Sequence, residues 1–139
     1  MNTNYQGIGM CPRPKWEHQS LSALIHVNTH KELSCIGLRM FIEATVTEDW
    51  NDRAPDLVVF DELMTPKLII EITTHKEVRK NVIKCEELLA RFPTVECFVY
   101  DYERQELLMF NLESCTWVSS FNYELYSQYL EKPMLDYFE

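Results

Sequence analysis

Residues 54–80 read APDLVVFDELMTPKLIIEITTHKEVRK, and the two apolar runs inside them decide the fold. Leu57–Phe60 and Leu68–Ile70 are continuous rather than alternating, the pattern of strands covered on both faces. The linking DELMTP is short enough for a hairpin. Each run carries a carboxylate at one edge, Asp56 before the first and Glu71 after the second. A carboxylate sharing a buried strand costs desolvation energy unless a cation, hydrogen bonds or water meet it.

Side-chain alternation assigns faces. Asp56, Val58 and Phe60 share one side of the first strand. Lys67, Ile69, Glu71 and Thr73 share one side of the second, with Leu68, Ile70 and Ile72 opposite. Paired as a hairpin, the strands bring Asp56 and Glu71 to the same sheet end. Two carboxylates so placed suit a hard divalent cation with oxygen ligands, which polarises a phosphodiester and generates hydroxide from water. That chemistry also wants a lysine near the second carboxylate to stabilise charge in the transition state. Plainer readings stay open: Asp56 as a turn residue after Pro55, and Glu71 as the partner of Lys84 or Arg79 in a structural ion pair.

Outward from this core, WEHQSLSALIHVNTH (16–30) places Leu21, Leu24, Ile25 and Asn28 at helical spacing. LRMFIEATVTE (38–48) reads as a strand by its β-branched content, WNDRAP as a turn. From His75 to Phe92 the period becomes helical, with Val78, Val82, Cys85, Leu89 and Phe92 as the expected apolar stripe. ECFVYD and ELLMFNL follow as strands around the turn YERQ. The order is therefore helix, three strands, helix, two strands: an α/β fold whose strand–helix–strand crossover demands a parallel pair.

The bulk properties agree with one domain of 1–139, comprising an N-terminal loop over 1–15 and a C-terminal docking or interface segment over 121–139. The 139 residues suffice for a core, and mean hydropathy is −0.26. No apolar stretch reaches the ~20 residues of a membrane span. The N-terminus lacks a signal-peptide layout, and five scattered cysteines without a CxxC favour reduced thiols, so a cytoplasmic setting is expected. The formal charge of −9 argues against nucleic-acid binding over the whole surface. Six of the thirteen basic residues nevertheless fall within 67–91 against four acids, making that window +2 and the remainder −11. Such a window is either a solvated helix face or a phosphate-facing patch.

PD at 55–56 followed by EIT at 71–73, in register with the strand–strand–helix order, resembles the PD-(D/E)XK motif of restriction-endonuclease-like nucleases. KNVIKCEELLARFPTVECFVYD and the opening EHQSLSALIHV are similar to a large bacterial family of small restriction-endonuclease-like proteins in that superfamily. The resemblance covers about residues 16–111. It implies a central mixed β-sheet flanked by helices, and Mg²⁺-dependent (or Mn²⁺-dependent) phosphodiester hydrolysis, with DNA as substrate. It also implies Asp56 and Glu71 as metal ligands, Glu17 as a further carboxylate from the first helix, and a homodimer, for which the aromatic C-terminal segment is the candidate contact.

The sequence departs from the motif at Thr73, where a lysine is usual. Members of the superfamily move that lysine into the next helix, which nominates Lys84 first and Lys80 second. Counting ~100° per residue from Val78, Lys80 falls near 200° and Lys84 near 240°, away from the expected stripe. That placement weighs against both lysines. The alternative function is a nuclease-like fold that has lost catalysis and acts as a binding or assembly module. His26 and His30, four apart, lack a third ligand and read as surface histidines.

Overall fold

A computed structural model of the chain describes residues 16–44, 46 and 54–139. The expected N-terminal loop over 1–15, most of the WNDRAP turn and the end of the first expected strand lie outside the described residues. The elements are α1 (Trp16–Cys35), β1 (Arg39–Ile42), β2 (Leu57–Phe60), β3 (Pro66–Thr73), α2 (Val78–Arg91), β4 (Glu96–Asp101), β5 (Glu106–Asn111) and β6 (Thr116–Ser119). Short 3-10 turns cover His75–Glu77 and Met134–Phe138.

The six strands form one sheet in sequence order. β2 and β3 make the antiparallel hairpin expected from DELMTP, with Leu57 opposite Ile70. β3 and β4 run parallel, Leu68 beside Glu96 and Thr73 beside Asp101, because α2 crosses between them. The remaining pairings are antiparallel.

Both faces of the central strands are covered, which explains their unbroken apolar runs. Leu68, Ile70 and Ile72 pack with Leu57, Val59, Ile25 and Leu33 on the α1 side. Val58, Phe60 and Ile69 pack with Cys85, Leu88 and Cys97 on the α2 side. The alternation read from the sequence therefore holds, and it places Glu71 under α2. Cys85 and Cys97 are buried free thiols. The Cys85 thiol is pushed well above its usual range by its hydrogen bond with Cys97 and by burial.

Three features differ from expectation. α1 continues to Cys35, and its buried face is Ser22, Ile25, Thr29 and Leu33, with Leu24 exposed. Small hydroxyl residues can occupy that face because Thr29 Oγ1 donates back to the Ile25 carbonyl (2.8 Å). The helix ends where Gly37 adopts φ +77° and Leu38 N–H bonds the Leu33 carbonyl (2.9 Å), a glycine C-cap. β6, only four residues long and absent from the expected strand order, pairs along β5.

The third difference is the buried face of α2, which is Asn81, Cys85 and Leu88; of the expected stripe Cys85 is buried, while Val82, Leu89 and Phe92 pack only partly against the core. At ~100° per residue the buried face is turned by about 50° from the expected stripe. Lys84 is thereby brought to the flank of the core.

The C-terminal segment closes the α1 side. Met134 and Tyr137 are fully buried, and Phe138 meets Tyr100 edge-to-face with ring centroids 4.6 Å apart. The Tyr137 hydroxyl donates to the Glu32 carboxylate (2.7 Å), and Ser127 Oγ donates to the buried Glu96 carboxylate (2.6 Å). Phe121, Tyr123 and Tyr126 remain exposed. Among the described residues no helix is long and apolar enough to cross a membrane.

Candidate active site

Asp56 sits at the bend that opens β2, where the antiparallel register sets it beside Glu71 of β3. The Ile72 N–H donates to Asp56 Oδ2 (2.7 Å), and the Asp56 N–H points at Glu71 Oε1 (3.4 Å). Glu71 is 1% exposed. Its Oε2 faces the Lys84 ammonium at 2.9 Å, and the same ammonium donates to the Ala54 carbonyl (3.3 Å). The contact at Oε2 is a close ion pair without a well-directed hydrogen bond, so this buried oxygen has no directed donor.

The carboxyls behave as an unequal pair. Burial, followed by the neighbouring Asp56 charge, lifts Glu71 from an ordinary value of 4.5 to about 7, with Lys84 pulling the other way. Burial also acts upward on Asp56, but the hydrogen bonds from His18 and the Ile72 N–H outweigh it and hold the carboxyl below its usual value. One negative charge is thus secured at Asp56, and one proton is readily held or released at Glu71.

His18 is the residue that sequence reasoning passed over. Its Nε2 lies 3.0 Å from Asp56 Oδ1, and the hydrogen bond with Asp56 raises the imidazole above 6.5 despite partial burial. The available signal was its place one residue after Glu17 at the start of α1. Only the crossing of α1 over the sheet shows that it reaches Asp56. Glu17 itself is exposed on the first turn.

A raised histidine stabilises the fold below 6.5 and loses that contribution as pH rises through its folded value. His18→Ala is therefore expected to cost about 1–2 kcal/mol at pH 5.5 and clearly less at pH 8.5. Denaturant unfolding at the two pH values checks this; an equal cost at both would show that the pair is not ionic.

Asp56, Glu71 and Lys84 are brought together. Lys80 is not: its side chain is exposed on the outer face of α2. Thr73 is buried and spends its hydroxyl on the Thr74 carbonyl (2.9 Å), so it does not replace the motif lysine. His26 Nε2 contacts the Met40 carbonyl (3.1 Å), well away from this group.

Two carboxylates side by side are the donor type a hard divalent cation takes, and in this structure the Lys84 ammonium meets Glu71 Oε2 while His18 and the Ile72 N–H meet the two Asp56 oxygens. Among the described residues no group of three or more His, Cys, Asp or Glu side chains is arranged to hold a metal. A cation between Asp56 and Glu71 would complete its shell from water and substrate oxygens, as Mg²⁺ commonly does.

No family model matches the chain, and no curated protein matches it. Among solved structures, the chain is similar to a protein of Anabaena variabilis described as "a putative nuclease belonging to DUF820". The TM-score is 0.62 at 16% identity, over 91% of this chain and 83% of that one. The chain thus shares the α/β fold of that protein, a mixed sheet flanked by helices consistent with the restriction-endonuclease-like architecture.

Proposed function

We propose that the protein is a metal-dependent nuclease hydrolysing phosphodiester bonds of DNA. The observation that carries this is the convergence of Asp56, just before β2, Glu71 of β3 and Lys84 of α2 at one end of the two apolar central strands. Likeness to a nuclease-like fold supports the class of reaction. Asp56 and Glu71 would hold Mg²⁺ or Mn²⁺, which when bound supplies Lewis-acid polarisation and an activated water. Lys84, anchored by the Ala54 carbonyl and Glu71, points a fixed positive charge into the site and stabilises charge growing on the phosphoryl oxygens. His18 and the Ile72 N–H keep Asp56 oriented and ionised.

A catalytically silent binding module is the second reading. It is favoured by the occupation of both Asp56 oxygens by protein donors. Nicking of supercoiled plasmid in Mg²⁺ or Mn²⁺ separates the two. Wild type is expected to nick and Asp56→Ala and Glu71→Ala to lose that activity; cleavage surviving both substitutions would sink the nuclease reading.

A further inference from the structure

The segment that delivers Lys84 carries a second charged surface that faces outward. Lys76, Arg79 and Lys80 follow one another at i, i+3 and i+4 and are all exposed. None of the three has an ion pair with another described residue. In a chain of net charge −9, this stretch, with three basic residues against Glu77, is a local excess of positive charge. The acids beside the row are Glu77, half-buried, and Glu103, which accepts the His75 N–H (2.8 Å). Beyond Ile83 the helix surface turns acidic with Glu86 and Glu87, so the positive row is confined to the start of the helix.

His75 precedes the row and is held in a fixed pose. Its Nδ1 lies 2.8 Å from Oδ2 of Asp101, a side chain 2% exposed, while Asp101 Oδ1 accepts the N–H groups of Glu103 (3.0 Å) and Arg104 (3.1 Å). A carboxylate only accepts, so Nδ1 is a protonated nitrogen, while Nε2, on a ring 57% exposed, donates only when it carries a second proton. The parallel register pairs Thr73 with Asp101 and Glu71 with Val99. By alternation Asp101 shares the α2-side face and the sheet end with Glu71.

We propose that Lys76, Arg79 and Lys80 form the surface that grips the phosphate backbone of the nucleic acid to one side of the reacting bond. The choice of polyanion rests on the nuclease reading above. From position 76 to 80 the axis advances ~6 Å, enough for about two phosphates at the ~3.4 Å rise of one strand. The row starts three residues after Thr73, at the strand end where Glu71 lies.

The test is binding of the full chain to a fluorescent 30-base-pair duplex in EDTA across a NaCl series, beside plasmid cleavage in Mg²⁺. K76S/R79S/K80S is expected to bind about 10–100-fold more weakly at low salt and to reduce the log–log salt slope by about 2–3. Neutralising Lys31 and Lys132, exposed lysines elsewhere, is expected to leave the slope alone. A wild-type slope in the triple variant overturns the row, and if wild type still cleaves, the nuclease reading stands without it. A reduced slope with no wild-type cleavage in Mg²⁺ keeps the row and removes the nuclease. A wild type that neither binds nor cleaves overturns both.

Discussion

Glu71→Gln is expected to lower Mg²⁺-dependent cleavage by at least ~10³-fold while also changing how the metal-free protein responds to pH. The first effect follows from the loss of one of two carboxylates in the proposed metal site, since the amide keeps the shape but not the charge. A loss of this size corresponds to about 4 kcal/mol of transition-state stabilisation. The second effect follows from the carboxyl's raised value. The unfolded chain releases this proton near 4.5 and the native protein near 7. Between those values the native state binds more protons, so on this group's account stability falls as pH rises from about 4.5 to about 7 and is flat above. The gap is worth on the order of 3 kcal/mol. Asp56 acts in a different window: its carboxyl is held below 3.8, so its contribution is present above that value and lost only in stronger acid. Chemical denaturation in EDTA at pH 4.5, 5.5, 6.5 and 8 should show the wild-type decline and its absence in Glu71→Gln. Parallel pH profiles for the two proteins would mean that Glu71 titrates as an ordinary carboxyl.

Lys84→Met is expected to lower cleavage by about 10²–10³-fold, the cost of removing one fixed positive donor from a charged transition state. It is also expected to destabilise the metal-free protein by about 3 kcal/mol at pH 8.5, because it leaves a buried carboxylate without its cation. At pH 5 the cost should be far smaller, since Glu71 then carries a proton and has less need of the ammonium. The double variant Glu71→Gln/Lys84→Met removes both charges together, so it should recover most of the stability at pH 8.5 while remaining inactive. A Lys84→Met protein that cleaves at the wild-type rate would demote Lys84 to a structural partner of Glu71.

The strand hairpin, the crossover helix and the faces of β2 and β3 were legible because period-two alternation and continuous apolar runs are local properties of the chain. The same logic sets Asp56 and Glu71 at one sheet end. Helix rotation was not local in this sense. Val78, Val82, Cys85, Leu89 and Phe92 suggest one buried face for α2; Cys85 is buried as expected, but Asn81 and Leu88 join it inward while Val82, Leu89 and Phe92 are only partly covered. Asn81 can be buried because its amide donates to the Glu77 carbonyl (3.0 Å). That turn converts Lys84 from an apparent surface lysine into the partner of Glu71. β6 and the extension of α1 to Cys35 were missed for a similar reason: pairing with β5 and the glycine cap outweighed weak local signals.

By itself, the sequence determined an α/β chain with a buried hairpin, a parallel crossover and two carboxylates at the ends of apolar strands. Periodicity and desolvation suffice for those statements. Only the tertiary structure decided which cation answers Glu71 and which histidine answers Asp56. Lys84 is thirteen residues beyond Glu71 and His18 thirty-eight before Asp56. Their meeting depends on how α2 rotates and how α1 crosses the sheet, and packing of the whole core sets both.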